Sequence, residues 1–405
     1  MSPASAKEPT ANGPEIKTRI ASIDALRGLA MIIMALDHVR DFFSSAAMAF
    51  SPENLTKATT TLFLTRWVTH FCAPMFMFTA GLGAFFWLQR PGRTKAQLSR
   101  FLWTRGLWLV FLDLVVSRLG MNFSLTDGPL ILNVLWALGW SMVILAALVH
   151  LPIKALATLS VAVIALHNLM DSVSAAKFGS LAPLWNILHQ PGAFPAGNVM
   201  VLVAYAWIPW FAVMAAGFCF GAIFTADHRV RQRWCIWIGC AMIAAFLVLR
   251  WINAYGDPQP WSPLPGGRTV LSFLRCTKYP PSLDFLLMTL GPSLVVLAWF
   301  DGLRFNQFNP LIVFGRVPLF YFLGHFYLAH LLAIPLALLR YGSAGFIFSP
   351  APSMGGAANI YPANYGYSLG TVYGLWLLVV VLMYPVCRWF MQVKQRRRDW
   401  WLSYL

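Results

Sequence analysis

The chain has 405 residues, of which 59% are hydrophobic and only 11% charged, with a mean hydropathy of +0.64. Soluble domains carry about a quarter charged residues, so a soluble globular protein is excluded and a polytopic membrane protein is expected. The 30 Lys and Arg against 14 Asp and Glu give a formal charge of +16. The basic residues cluster in short gaps between apolar runs, which is the positive-inside pattern, so the charge does not point to nucleic acid.

In chain order, residues 1–18 (MSPASAKEPTANGPEIKT) are polar and contain proline, and are expected to be a disordered cytoplasmic tail. They lack the apolar core and cleavage site of a signal peptide, so the first helix is expected to stay as an anchor. Runs near the length needed to cross a bilayer then fall at about 22–43, 61–88, 101–120, 129–149, 153–171, 198–225, 234–252, 283–301, 311–339 and 369–390. The expected fold is an all-α polytopic membrane bundle of about ten transmembrane helices. Its transmembrane domain covers 19–391 and a basic cytoplasmic tail covers 392–405. Arg90, Arg93, Lys95 and Arg100, then Arg229, Arg231 and Arg233, then Arg304, then Lys394 to Arg398 all fall on one side if both termini are cytoplasmic. Three long opposite gaps, 172–197, 253–282 and 340–368, are rich in Pro, Gly and aromatics and suit a lid over an external pocket.

The first span, RIASIDALRGLAMIIMALDHVRD, carries unusual charge for a membrane helix, and intramembrane charge points to function by default. Arg27 and His38 are 11 residues apart, so their azimuths differ by about 20° and their heights by roughly 16 Å. Asp24 and Asp41, at i−3 and i+3, can share that face. One stripe thus carries a cation near one membrane face and an imidazole near the other, a layout for holding a long molecule with an anionic head. The plainer alternative is an Asp24–Arg27 pair at the helix end and a core histidine.

On the second span Arg66, His70 and Pro74 are spaced by four and share a face. Pro74 cannot donate to the His70 carbonyl, so a kink is expected there. Asp113 lies mid-membrane in the third span and needs a partner; Arg66, His70 and His38 are the candidates. Arg105 in the same span is near enough to the end to snorkel. Tyr321 and His325 sit at i,i+4 on the ninth span, whereas His325 and His330 are five apart and do not share a face, so no metal site is expected. Lys278, Tyr279, Pro280, Pro281 and Ser282 form an external turn before Asp284, suited to a sugar or an oxyanion, or to plain interfacial anchoring. The six cysteines, Cys72, Cys219, Cys235, Cys240, Cys276 and Cys387, mostly lie in apolar runs without metal-site spacing and are read as core residues, with Cys276 alone in an external loop.

Arg, ten residues, then His on a first membrane helix resembles the signature of membrane-bound acyltransferases. The fuller text SIDALRGLAMIIMALDHVRDFF, with FCAPMFMFTAG (71–81), CTKYPPSLDFLLMTLGP (276–292) and GRVPLFYFLGHFYLAH (315–330), resembles the bacterial relatives of the heparan-α-glucosaminide N-acetyltransferase catalytic family. The likeness spans nearly the whole chain after residue 19. It implies an enzyme in the bacterial inner membrane that moves acetyl from cytoplasmic acetyl-CoA to a sugar amine or hydroxyl outside. Acetyl-CoA would be a co-substrate, and the partners would be an extracytoplasmic sugar or glycan and the lipid bilayer; a homodimer is compatible with this.

Arg27, Asp24, Arg93 and Arg105 are then candidates for the donor end, where basic groups would hold the anionic head. His38 would be general base, oriented by Asp41 or less comfortably Asp37, with His70 and Asp113 as further catalytic candidates. Arg66, Lys278, Tyr279 and His325 would meet the acceptor. The heparan enzymes resemble this stretch with an Asn at the position of His38 and a histidine in the following loop. Residues 44–60 here contain none, so the base is either His38 or His70, and N- and O-acetyl transfer both stay open. The competing classes are a transporter of a small anionic or sugar-like solute, whose buried charges would line a pathway, and an assembly subunit in which they are structural.

Overall fold

The first apolar run folds as one unbroken helix, α1 (Ala21–Phe43), in a computed structural model whose described residues are 20–352, 356–397 and 399–404. Its Ala, Leu, Ile and Met content favours helix, and Asp24 in the first turn and Arg40 in the last complement the helix dipole. The expected tail 1–18 lies outside the described residues. The second run is two helices, α2 (Thr60–Thr69) and α3 (Cys72–Leu88), parted at His70 and Phe71. Pro74 has no N–H to give the His70 carbonyl, and the chain breaks at that place.

Helix α4 (Lys95–Phe111) opens with a Thr94/Gln97 capping box and passes through a π-helical segment, Leu112–Ser117, into Arg118–Asn122. Next come strand β1 (Leu130–Leu132), α5 (Val134–Leu148) and α6 (Ile153–Leu166). A hairpin, β2 (Gly192–Ala196) and β3 (Val199–Val203), precedes α7 (Trp210–Phe220). The chain ends with α8 (His228–Ile252), α9 (Leu283–Asp301), α10 (Pro310–Arg316), α11 (Pro318–Tyr341) and α12 (Leu369–Arg396).

The three strands form one sheet in the order β1-β3-β2, with β1 parallel and β2 antiparallel to β3. The all-α expectation therefore needs correction. The segments expected as spans from 129 and from 198 begin as strands, and their helices start at Val134 and Trp210. Short apolar runs such as Leu130–Leu132 carry no periodicity that separates strand from helix. The basic segment expected from 392 also begins as helix, because α12 continues to Arg396. Beyond it the Tyr404 hydroxyl returns to Thr104 at 2.7 Å.

Among the described residues six helical segments are long and apolar enough to cross a membrane, Thr60–Leu88 (α2 and α3 taken together), Ile153–Met170, His228–Ile252, Leu283–Asp301, Pro318–Tyr341 and Leu369–Arg396. Val134–Leu148 and Trp210–Thr225 are shorter apolar helices. Only 22% of the α8 window and 17% of the α12 window is buried inside the protein, against 72% for α9, and Trp237, Trp251, Val381 and Trp389 are more than half exposed. Such outward apolar surface fits lipid and not water, so this is an integral membrane protein.

Helix α1 lies inside the bundle against α2, α3, α9, α10, α11 and α12. Its contact with α10 is backbone to backbone. A Cβ on Gly28 would stand 1.9 Å from the Leu311 carbonyl oxygen, and one on Gly315 would stand 1.7 Å from the Asp24 carbonyl oxygen. Glycine at both positions is what lets the helices meet. Cys276 belongs to a loop but is 1% exposed, so loop position did not make it an external thiol.

Candidate active site

The stripe on α1 opens into two cavities. Arg27 and Met31 line one of about 500 Å³; Met34 and His38 line another of about 540 Å³. We call them the arginine cavity and the histidine cavity.

In the histidine cavity, His38 Nδ1 is 2.7 Å from His325 Nε2, and His325 Nδ1 is 3.0 Å from the Tyr321 carbonyl oxygen. A carbonyl only accepts, so His325 Nδ1 carries a proton. With both rings neutral, His325 Nε2 must accept, and the donor is His38 Nδ1. That assignment leaves His38 Nε2 as the unprotonated nitrogen. Phe326 stacks on the His38 ring at 4.2 Å, and Phe322 meets it edge-on at 6.2 Å. His325 is fully buried behind His38, so it supports the imidazole and does not reach an acceptor in the cavity.

Around His38 runs a chain of ion pairs. Arg40 Nη2 donates to Asp37 at 3.0 Å and to Asp41 at 2.8 Å. Arg66 pairs with the other Asp37 oxygen and, at 3.2 Å, with Glu53. Glu53 in turn meets His70 Nε2 at 3.0 Å. Burial would push the Glu53 carboxyl up, but the His70 hydrogen bond and the Arg66 charge outweigh it and hold it well below the usual carboxylate range. Lys278 and Tyr279 reach the same cavity from the turn before α9. The Lys278 ammonium lies 5.9 Å from the Tyr205 ring centroid and 5.2 Å from that of Tyr279. Burial acts to raise the Tyr279 phenol, yet Lys278 and Arg66 draw it below its ordinary value.

Several expected roles change here. Asp41 is committed to Arg40, and His38 Nδ1 is oriented by His325 instead. His70 is 2% exposed and is turned to Glu53, not among the residues lining the cavity. Asp113 meets none of Arg66, His70 or His38: its Oδ2 accepts the Asn133 N–H at 2.8 Å, at the start of α5, where a carboxylate suits the helix N-terminus. Sequence reasoning passed over Glu53 and Tyr205, and used Arg40 only as part of the charged first span. Glu53, 13 residues before Arg66 in a polar loop, gave no periodic signal.

In the arginine cavity, Arg27 donates to the Thr79 carbonyl and lies 4.0 Å from Asp24, which also stands 3.5 Å from Arg316. Arg105 lines the same space, together with Arg90, Arg316 and Lys394. Arg93 is outside, exposed and seated 4.3 Å over the Trp87 ring. Among the described residues that line it, five are cationic, Arg27, Arg90, Arg105, Arg316 and Lys394, and one, Asp24, is a carboxylate; guanidinium and ammonium donors of this kind suit phosphate oxygens.

No individually curated protein matches the chain. The profile of the family described as heparan-alpha-glucosaminide N-acetyltransferase, catalytic, matches residues 19–251, which is more than half of the 405. The matched region holds Arg27, His38, Arg66 and His70, while Lys278, in the turn before α9, and His325, on α11, come after it. The chain belongs to the heparan-α-glucosaminide N-acetyltransferase catalytic family of membrane acetyltransferases.

Proposed function

We propose that the protein spans the inner membrane ten times with both termini cytoplasmic, and moves acetyl from cytoplasmic acetyl-CoA to a sugar amine or hydroxyl entering the histidine cavity from the other side. What carries this reading is His38, whose Nε2 is left unprotonated on the cavity wall by the hydrogen-bond chain through His325 to the Tyr321 carbonyl. The basic wall of the arginine cavity fits the phosphates of the donor, with Arg27, Arg105, Arg316 and Lys394 as ligands. His38 Nε2 takes the proton of the acceptor N–H or O–H as that atom bonds to the acetyl carbon. The C–S bond breaks, the sulfur leaves as thiolate, and the proton on His38 returns to it. His325 keeps the His38 ring in the tautomer that can begin this sequence. Lys278 and Tyr279 hold the acceptor, and Asp37, Arg40, Arg66 and Glu53 fix the shape of the cavity floor.

Calorimetry with acetyl-CoA on purified protein, followed by transfer to glucosamine, tests the reading. Binding lost in Arg27→Ala and turnover lost in His38→Ala but not His70→Ala is the expected pattern. A second reading, a carrier of a small anionic or sugar-like solute, is favoured by the two cavities having Phe76 and Val134 as common walls. It predicts flux into vesicles without acetyl-CoA and no donor binding, the result that would displace the enzyme.

A further inference from the structure

Both cavities end at the same level on three helices. On α1 the boundary falls between Met31, in the arginine cavity, and Met34, in the histidine cavity. On α3, Thr79, Ala80 and Gly83 line the first, Thr69 before the break and Cys72 and Ala73 line the second, and Phe76 lines both. On α5, Leu135 and Leu138 line the first, Asn133 the second, and Val134 both. Phe322, edge-on to His38 at 6.2 Å, belongs to the arginine cavity. The imidazole thus lines the second cavity and meets, through Phe322, a residue of the first.

We propose that Phe76 and Val134 form a neck between the cavities that sets the length of the acyl group the protein transfers. This inference rests on the acyltransferase reading and deepens it. For transfer, the acyl carbon must reach the acceptor atom beside His38 while the donor's anionic head stays in the basic cavity. The new C–N or C–O bond forms there, the C–S bond breaks, and the acceptor proton passes to His38 and then to the departing sulfur. A two-carbon acyl group adds one methyl beyond the carbonyl. A longer chain has to be lodged at the boundary, where Phe76 and Val134 line both cavities and Met31 and Met34 flank them on α1. Discrimination by an apolar wall runs at about 10- to 200-fold per methylene, so the neck selects short acyl donors.

Both residues sit on helices. Phe76 lies on α3 beyond the break at His70 and Phe71, and Val134 is the first residue of α5, where Asp113 fixes the preceding Asn133 N–H. The neck is thus built from helical residues, not from a loop.

The test compares acetyl-CoA with hexanoyl-CoA as donors to one acceptor, in purified wild type, Phe76→Ala and Val134→Ala. Wild type is expected to favour acetyl, and each variant is expected to raise the hexanoyl-to-acetyl ratio of kcat/KM by about tenfold or more. Val134→Ala, the smaller change, serves if Phe76→Ala does not fold. Acetyl transfer with an unchanged ratio in the folded variants, or a wild type indifferent to chain length, overturns the neck and leaves the acyltransferase standing. A folded wild type that turns over neither donor overturns both.

Discussion

His38 on α1 and His325 on α11 meet at 2.7 Å across 287 positions of sequence. The pair has a direction, because the Tyr321 carbonyl behind His325 can only accept. His38→Ala is expected to lower kcat by about 10²- to 10⁴-fold, the range for a general base. His325→Ala should lower it about 10- to 100-fold, as loss of an orienting partner does at other histidine sites, with acetyl-CoA affinity unchanged. A His325→Ala protein that loses donor affinity instead would show that the pair serves packing alone.

Asp37 joins Arg40 to Arg66 in a buried setting. Asp37→Ala leaves two guanidinium groups sharing fewer carboxylates, and breaking a buried pair from one side costs about 3–5 kcal/mol. Unfolding in detergent at neutral pH should register that loss, and an unshifted midpoint would mean that Glu53 and Asp41 are sufficient counter-ions.

Glu53 gives the ion-pair chain a pH dependence. Its folded carboxyl lies below the ordinary value of 4.5, so the unfolded state binds the proton more readily. The stabilisation is complete above that ordinary value and fades as pH falls below it. Wild type should thus lose stability as pH falls from about 5 to about 2 more steeply than Glu53→Gln, which has no proton to gain at this position, while the two change alike between pH of about 7 and 5. Parallel pH profiles from thermal unfolding would refute the assignment.

The donor end makes a separate prediction. Arg105→Ala and Lys394→Ala should each raise the KM for acetyl-CoA by about 10- to 100-fold, equivalent to about 1.5–3 kcal/mol for a charged hydrogen bond. Steady-state kinetics at low and high salt would check this; unaltered KM in both would remove these side chains from the donor wall.

How much of this was readable in advance depends on the range of each contact. The Arg27–His38 stripe follows from helical geometry within 11 residues, and the break at His70 follows from Pro74 and the bonding capacity of proline. The role of His325 was not readable, since the packing of α1 on α11 joins residues from opposite ends of the chain. Asp113 misled for another reason: a buried carboxylate suggests a cationic partner, and here it bonds to a backbone N–H at Asn133. The strands were hidden because three to five apolar residues fit a helix or a sheet equally well.

Gly28 and Gly315 carry a kinematic consequence. Carriers that alternate access rock one group of helices against another about a central site. With the Leu311 carbonyl pressed to the Gly28 face and the Asp24 carbonyl to the Gly315 face, α1 has no clearance to slide or roll along α10. The helix that bears His38 is held against α10 at two glycine contacts, which a carrier that rocked α1 against α10 would have to break.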